Sequence, residues 1–117
     1  MTMTVSMKEN HLFRRLYNKG KTAADGRLAL YVRRNGGRQN RLGFTVSTKL
    51  GHAVVRNRTR RRLREIYRLH EDELVCGMDV VVVARVRAAG STYRQLEESF
   101  LKLARKLELL NKEEQGE

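Results

Sequence analysis

The spacing of hydrophobic residues changes several times along this chain, and each change predicts an element. From Asn10 to Lys19, Leu12 and Leu16 lie one turn apart, and so do Phe13 and Tyr17, which predicts a short first helix stopped by Gly20. Arg27 to Arg33 alternates, with Leu28, Leu30 and Val32 on one side and Ala29 and Tyr31 on the other, as a half-buried strand does. Asn35-Gly36-Gly37 then predicts a hairpin turn into a second strand from Arg41 to Thr48. Leu42, Phe44 and Val46 form one face of that strand, and the small Gly43, Thr45 and Ser47 the other. A helical stripe of Val55, Thr59, Leu63, Ile66, Tyr67 and His70 predicts a long helix from about Ala53 to His70. In Asp79 to Val86 the valines continue without alternation, the pattern of a central strand buried on both faces. Thr92-Tyr93-Arg94-Gln95 has the form of a capping box. It opens a last helix in which Tyr93, Leu96, Phe100, Leu103, Leu107 and Leu110 keep helical spacing. The order αββαβα predicts an α+β sandwich built on one sheet. At 117 residues it forms one domain, with flexible ends at 1–7 and 111–117.

Charge changes the picture most within the long helix. Six arginines fall in the nine residues from Arg56 to Arg64, around the apolar stripe. Such a density of fixed charge repels itself unless a polyanion lies against it, and guanidinium suits phosphate because its planar fork donates paired hydrogen bonds. Arginine runs are commonly disordered tails or localisation signals. The stripe through this run points instead to a folded helix with one face on a core and the other presented to nucleic acid. A membrane-surface helix would need more bulky apolar residues than Leu63, Ile66 and Tyr67. The whole chain agrees, with 25 Lys and Arg against 13 Asp and Glu, a formal charge of +12 and a pI near 10.7.

Other chemistry is sparse. Cys76 is the single cysteine, so no disulfide or cysteine zinc site can form within one chain, and His11, His52 and His70 lack metal-ligand spacing. No segment has the length of a membrane span, and Met1 to Asn10 lacks the apolar core of a signal peptide. A cytoplasmic, reduced protein is expected. Glu71-Asp72-Glu73 is the one acidic cluster, and consecutive positions at a helix end point in different directions, as in a solvated loop. Asp25, Glu65 and Asp79 have no evident catalytic partner; Glu65 is expected to pair with Arg61 or Arg62 on its own helix.

The stretch from Gly43 to Glu65, through Gly51-His52-Ala53-Val54-Val55 and Arg56-Asn57-Arg58, resembles the signature of the bacterial ribonuclease P protein subunit. The resemblance runs from about Lys8 to Leu107 and takes in Phe13, Tyr17, Gly20, the Tyr31 strand and the valine strand. It implies a left-handed β-α-β crossover around the arginine helix, where pattern alone would give a right-handed one. It also implies an accessory subunit of an endoribonuclease, in which a catalytic RNA removes the 5′ leader from precursor tRNA with magnesium that the RNA coordinates. By this resemblance Arg56, Asn57, Arg58, Arg60, Arg61 and Arg64 meet the ribonuclease P RNA. Phe13, Tyr17 and Tyr31 would be the aromatic positions of a cleft for the single-stranded leader, with Thr45, Ser47 and Lys49 along its sheet face.

Two departures from the family pattern bear on those roles. Met3 to Met7 carries no charge where basic residues are common, and Thr48 stands where lysine is frequent. From the residues alone, Phe13 and Tyr17 fit a core as well as a cleft. A ribosomal or structured-RNA chaperone would share the basic helix but need no aromatic cleft. A DNA-binding helix-turn-helix lacks its preceding short helix, and a self-sufficient nuclease lacks its ligands, so neither DNA nor a membrane is expected as partner.

Overall fold

The computed structural model describes residues 5–6 and 19–110. The expected first helix therefore lies outside the described residues except for Lys19, which is helical, and Gly20, which forms a bend. Five strands, β1 (Val5–Ser6), β2 (Lys21–Ala24), β3 (Leu28–Arg34), β4 (Arg41–Val46) and β5 (Met78–Ala84), form one mixed sheet in the order β1-β4-β5-β3-β2. Among the described residues two further long elements, the helices α1 (Ala53–His70) and α2 (Tyr93–Lys106), belong to the α+β architecture.

The valine run takes the centre of the sheet, and this corrects the expected hairpin. The strands flanking Asn35-Gly36-Gly37 do not pair; β5 lies between them, antiparallel to β3 and parallel to β4. Val80, Val81 and Val82 are all buried, which an edge position would not allow. The Asn35 turn instead crosses over the entry to β5. Asn35 N–H donates to the Gly77 carbonyl at 2.9 Å, and Asn35 Oδ1 accepts from Gly37 N at 2.7 Å. Gly77 has φ 78°, and a Cβ there would stand 2.5 Å from the Gly37 carbonyl oxygen, so only glycine fits this crossing. Strand β2 was not foreseen; its Lys-Thr-Ala-Ala sequence has no apolar alternation, and it pairs antiparallel with β3 from the sheet edge.

The register puts one hydrophobic row on each residue pair of the core face. Leu28, Ala84 and Val46 align, as do Leu30, Val82 and Phe44, and then Val32, Val80 and Leu42. On these rows lie Leu63, Ile66 and Tyr67 of α1 and Leu96, Phe100 and Leu103 of α2, in one cluster. Tyr67 and Phe100 meet edge to face with centroids 6.2 Å apart. Asn40, buried beneath them, is fully used: its Nδ2 donates to the Val75 carbonyl and to Tyr67 Oη, and its Oδ1 accepts from Met78 N. Helix α1 has the expected bounds. Strand β4 ends two residues earlier than expected, because Ser47 leaves the sheet to cap a short turn over Thr48–Leu50.

Helix α2 opens with the expected capping box, Gln95 N to Thr92 Oγ1 at 3.1 Å and Thr92 N to Gln95 Oε1 at 3.0 Å. It stops at Lys106 rather than near Leu110. Glu108 takes a left-handed conformation, φ 58°, while Glu108 N bonds the Arg105 carbonyl and Leu109 N bonds that of Ala104. This is a Schellman stop with glutamate where glycine is usual. It turns Leu109 and Leu110 back onto the core, where Leu109 O accepts from Val75 N at 2.7 Å.

Candidate nucleic-acid interface

Helix α1 divides as its sequence predicts. Thr59, Leu63, Ile66 and Tyr67 are buried, whereas Asn57, Arg58, Arg61, Arg64 and Arg68 are exposed. At 100° per residue, Arg60, Arg64, Asn57, Arg68 and Arg61 occupy an arc of roughly 100°, with Arg56 at its border beyond the buried Tyr67 and Arg58 about 60° past Arg61. The start of this arc is fixed by local bonds. Arg56 Nε donates to the Gly51 carbonyl at 3.2 Å, and Arg60 Nη1 donates to Asn57 Oδ1 at 3.2 Å. Arg62 faces the other way and donates Nη1 to the Ser91 carbonyl at 3.2 Å, so it joins α1 to the turn before α2. Glu65 is exposed, and the pairing expected with Arg61 or Arg62 is not found among the described residues.

The reverse face of the sheet carries a different surface. Thr22, Tyr31, Val81 and Gly43 stand in one cross-strand row, and Ala24, Ala29, Val83 and Thr45 in the next. Tyr31 thus lies opposite the Leu28–Leu30–Val32 core face, half-buried, with a residue lacking any side chain two strands away at Gly43. Thr45 is on this face. Ser47 and Lys49 are not on the sheet itself; both are exposed on the turn that follows, where Ser47 Oγ accepts from Lys49 N at 3.1 Å. Along the chain, Lys49 lies on the turn that joins the end of β4 to the start of α1. Phe13 and Tyr17 lie outside the described residues.

Sequence reasoning missed cations at the far end of β5. Arg27 Nε donates to Ser91 Oγ at 3.1 Å, and Arg85 Nη1 donates to the Asp25 carbonyl at 2.9 Å. The signal for them is Arg85-Val86-Arg87 directly after a buried strand, where charge can only be at the surface.

The carboxylates are engaged in structure. Asp79 is bound through both oxygens by Arg41, at 2.7 and 2.8 Å, and also accepts from Asn35 Nδ2. Asp25 Oδ1 accepts from the Arg27 and Leu28 amides, and its Oδ2 lies 3.2 Å from Lys102 Nζ. Burial works to raise its pKa, but these donors outweigh it and hold the carboxyl at about 2. His70 bonds Glu73 through Nδ1 at 2.9 Å and Glu97 through Nε2 at 2.7 Å. Partial burial lowers its pKa, yet the two carboxylates prevail and raise it above the usual histidine range. Among the described residues, no three His, Cys, Asp or Glu side chains are grouped so as to hold a metal ion. No described helix is long and apolar enough to cross a membrane.

The family profile described as Ribonuclease P matches residues 1–108. The chain belongs to the ribonuclease P protein family. Relatives agree along nearly their whole length. The ribonuclease P protein component of Alkaliphilus metalliredigens is 41% identical over 105 residues, covering 90% of this chain and 95% of that one. That of Caldanaerobacter subterraneus is 42% identical over 108 residues, covering 92% and 93%. Among solved structures, the Staphylococcus aureus RNase P protein superposes with a TM-score of 0.84 at 33% identity, covering 91% of this chain and 97% of that one. The Thermotoga maritima protein gives 0.76 at 27% identity, covering 83% and 92%.

Proposed function

We propose that this ribonuclease P family member docks the catalytic RNA on the arginine arc of α1 and guides the 5′ leader of precursor tRNA across the Tyr31 face of the sheet. The observation that carries the reading is the separation of these surfaces: α1 packs on one face of the sheet, and Tyr31, Gly43 and Thr45 line the other. A structured-RNA chaperone would need the first surface and not the second.

Each surface suits its partner physically. Asn57, Arg61 and Arg64 can meet the phosphates of a folded RNA, which binds chiefly through charge and shape. A leader is single-stranded, so its bases are free to stack on a ring such as that of Tyr31 with little sequence preference, at about 1–3 kcal/mol per base. Val81 and Gly43 are buried at the centre of this face, so the part a strand can meet is Tyr31, Thr22 and Thr45. Lys49, on the turn between β4 and α1, can meet leader phosphates as they pass towards the RNA. Phe13 and Tyr17 belong to this reading by family resemblance.

The chemistry of phosphodiester cleavage is assigned to the RNA and its magnesium ions. In support, Asp25, Asp79, Glu73 and Glu97 are each committed to a structural donor. The polypeptide offsets repulsion between two RNAs and adds binding energy to the leader, in the cytoplasm where precursor tRNA is processed.

Salt dependence tests the docking half. Log affinity for the ribonuclease P RNA should fall linearly with log salt, each phosphate contact contributing about 0.7–0.9 to the slope. Replacing Arg61 and Arg64 with alanine should flatten the slope by about one to two units. An unchanged slope would place the RNA elsewhere on the molecule.

A further inference from the structure

We infer that a second nucleotide-binding pocket lies at the opposite end of the sheet from the Ser47–Gly51 turn, taking one nucleotide with its phosphate on a cationic rim and its base on an apolar floor. The cavity has a volume of about 550 Å³, within the range of small-ligand sites. Lys19, Lys21, Arg33 and Arg34 line it, opposed by the single carboxylate of Glu108. Lys19, Lys21 and Arg34 are exposed, and among the described residues none of the three is engaged in an ion pair. Arg33 is half-buried, and its Nη1 is buried with no hydrogen-bond acceptor found among the described residues. Buried polar groups are ordinarily paired, so an anion here would supply a missing partner.

The floor is different chemistry. Val32, Val75 and Met78 enter from the sheet side, and Leu107 and Leu110 from the returning end of α2. A bare phosphate has no use for that surface, whereas the face of a nucleobase does. The Schellman stop at Glu108 creates the pocket, because a helix continuing to Leu110 would not bring that residue back against Leu74.

The site lies away from the Ser47–Gly51 turn and adjoins the Tyr31 face, because Arg33 stands two residues from Tyr31 on the same side of β3. Arg34 pairs with Met78 at the first residue of β5, and Val46, next to Ser47, pairs with Ala84 at the last. Six residues of strand separate the two ends, about 20 Å. A nucleotide held here would extend the RNA footprint of the protein beyond helix α1, or it would be a free nucleotide sensed by the assembled protein. The chemistry recognised is the same.

Cys76 lines the same cavity, is exposed and is the single thiol of the chain, which makes it the reporter. The experiment measures the rate of Cys76 alkylation by iodoacetamide in the full chain. It is run alone, with adenosine monophosphate, with inorganic phosphate, and with the ribonuclease P RNA at a concentration where assembly is verified separately. The expected result is at least fivefold slowing by the RNA or by adenosine monophosphate, little slowing by phosphate, and loss of the protection in the Lys21→Ala/Arg34→Ala double variant. Protection by RNA alone identifies a nucleotide of the bound RNA as occupant, and protection by adenosine monophosphate alone identifies a free nucleotide. The inference is overturned if neither ligand protects Cys76 while assembly proceeds, if phosphate protects as well as the nucleotide, or if protection persists in the double variant. Since assembly is read independently, failure here leaves the docking role of α1 untouched.

Discussion

Arg41 grips Asp79 through both carboxylate oxygens and so joins the first residue of β4 to β5 beside it, at the end of the sheet where α1 delivers the chain back. Asp79 is 5% exposed. Its charge is compatible with that burial because Arg41 and Asn35 supply three donors to two oxygens. The geometry makes this carboxylate a structural tie between parallel strands.

Asp79→Asn should therefore destabilise the fold by about 2–4 kcal/mol, because it leaves Arg41 and Asn35 facing an amide. Urea denaturation reads this directly. Single-turnover cleavage by the assembled complex at saturating protein should stay within about threefold of wild type. A loss near a thousandfold in an intact complex would give Asp79 a part in the chemistry.

His70 makes stability depend on pH in a defined direction. Its folded pKa is raised by Glu73 and Glu97, so its contribution is fully present below the unfolded histidine pKa of about 6.5 and is lost as pH rises through the folded value. The unfolding midpoint should fall as pH is raised from about 6 towards 9. Glu97→Gln should flatten that fall and cost about 1–3 kcal/mol at the acid end, the worth of a charge-assisted bond. A variant with the wild-type pH profile would mean His70 is neutral between its two carboxylates.

Glu108 sits in a left-handed conformation that costs a non-glycine residue about 1–2 kcal/mol. Glu108→Gly should accordingly raise stability by about 0.5–1 kcal/mol, after the greater freedom of glycine in the unfolded chain is subtracted. Thermal unfolding at fixed pH measures it. A destabilised variant would show that the side chain, not the turn, is what matters at this position.

Much of this fold was legible because period and burial agreed. The alternation at Leu28, Leu30 and Val32 and the stripe through Thr59, Leu63 and Ile66 each face the core, and the helix bounds at Ala53 and His70 coincide with the last and first turns around it. The valine run read correctly as central. Pairing did not read correctly, because Asn35-Gly36-Gly37 has the local chemistry of a hairpin and nothing local reports that β5 inserts between its arms. The end of α2 was missed for a related reason: Leu107 and Leu110 keep helical spacing, but glutamate at 108 hides the stop that a glycine would announce. At the candidate site, helix α1 exposed its chemistry in sequence because charge and stripe share one element. The Tyr31 row did not, since Thr22, Val81 and Gly43 come together only through strand pairing.

The central claim is that leader binding and RNA docking occupy separate surfaces, and Tyr31 is the residue that tests it most directly. It lies off the core face, half-buried, so Tyr31→Ala should remove a stacking surface, and thermal unfolding of the variant checks that the fold is kept. The measurement is the affinity of the assembled complex for precursor tRNA as leader length is increased nucleotide by nucleotide, for wild type, Tyr31→Ala and Arg61→Ala. Wild type should gain affinity over the first several nucleotides. Tyr31→Ala should lose about 1–3 kcal/mol of that gain while binding mature tRNA and the RNA subunit normally, and Arg61→Ala should weaken assembly and keep the length dependence. If Tyr31→Ala gains as much from each added nucleotide as wild type does, the leader does not cross this face of the sheet and the account is wrong.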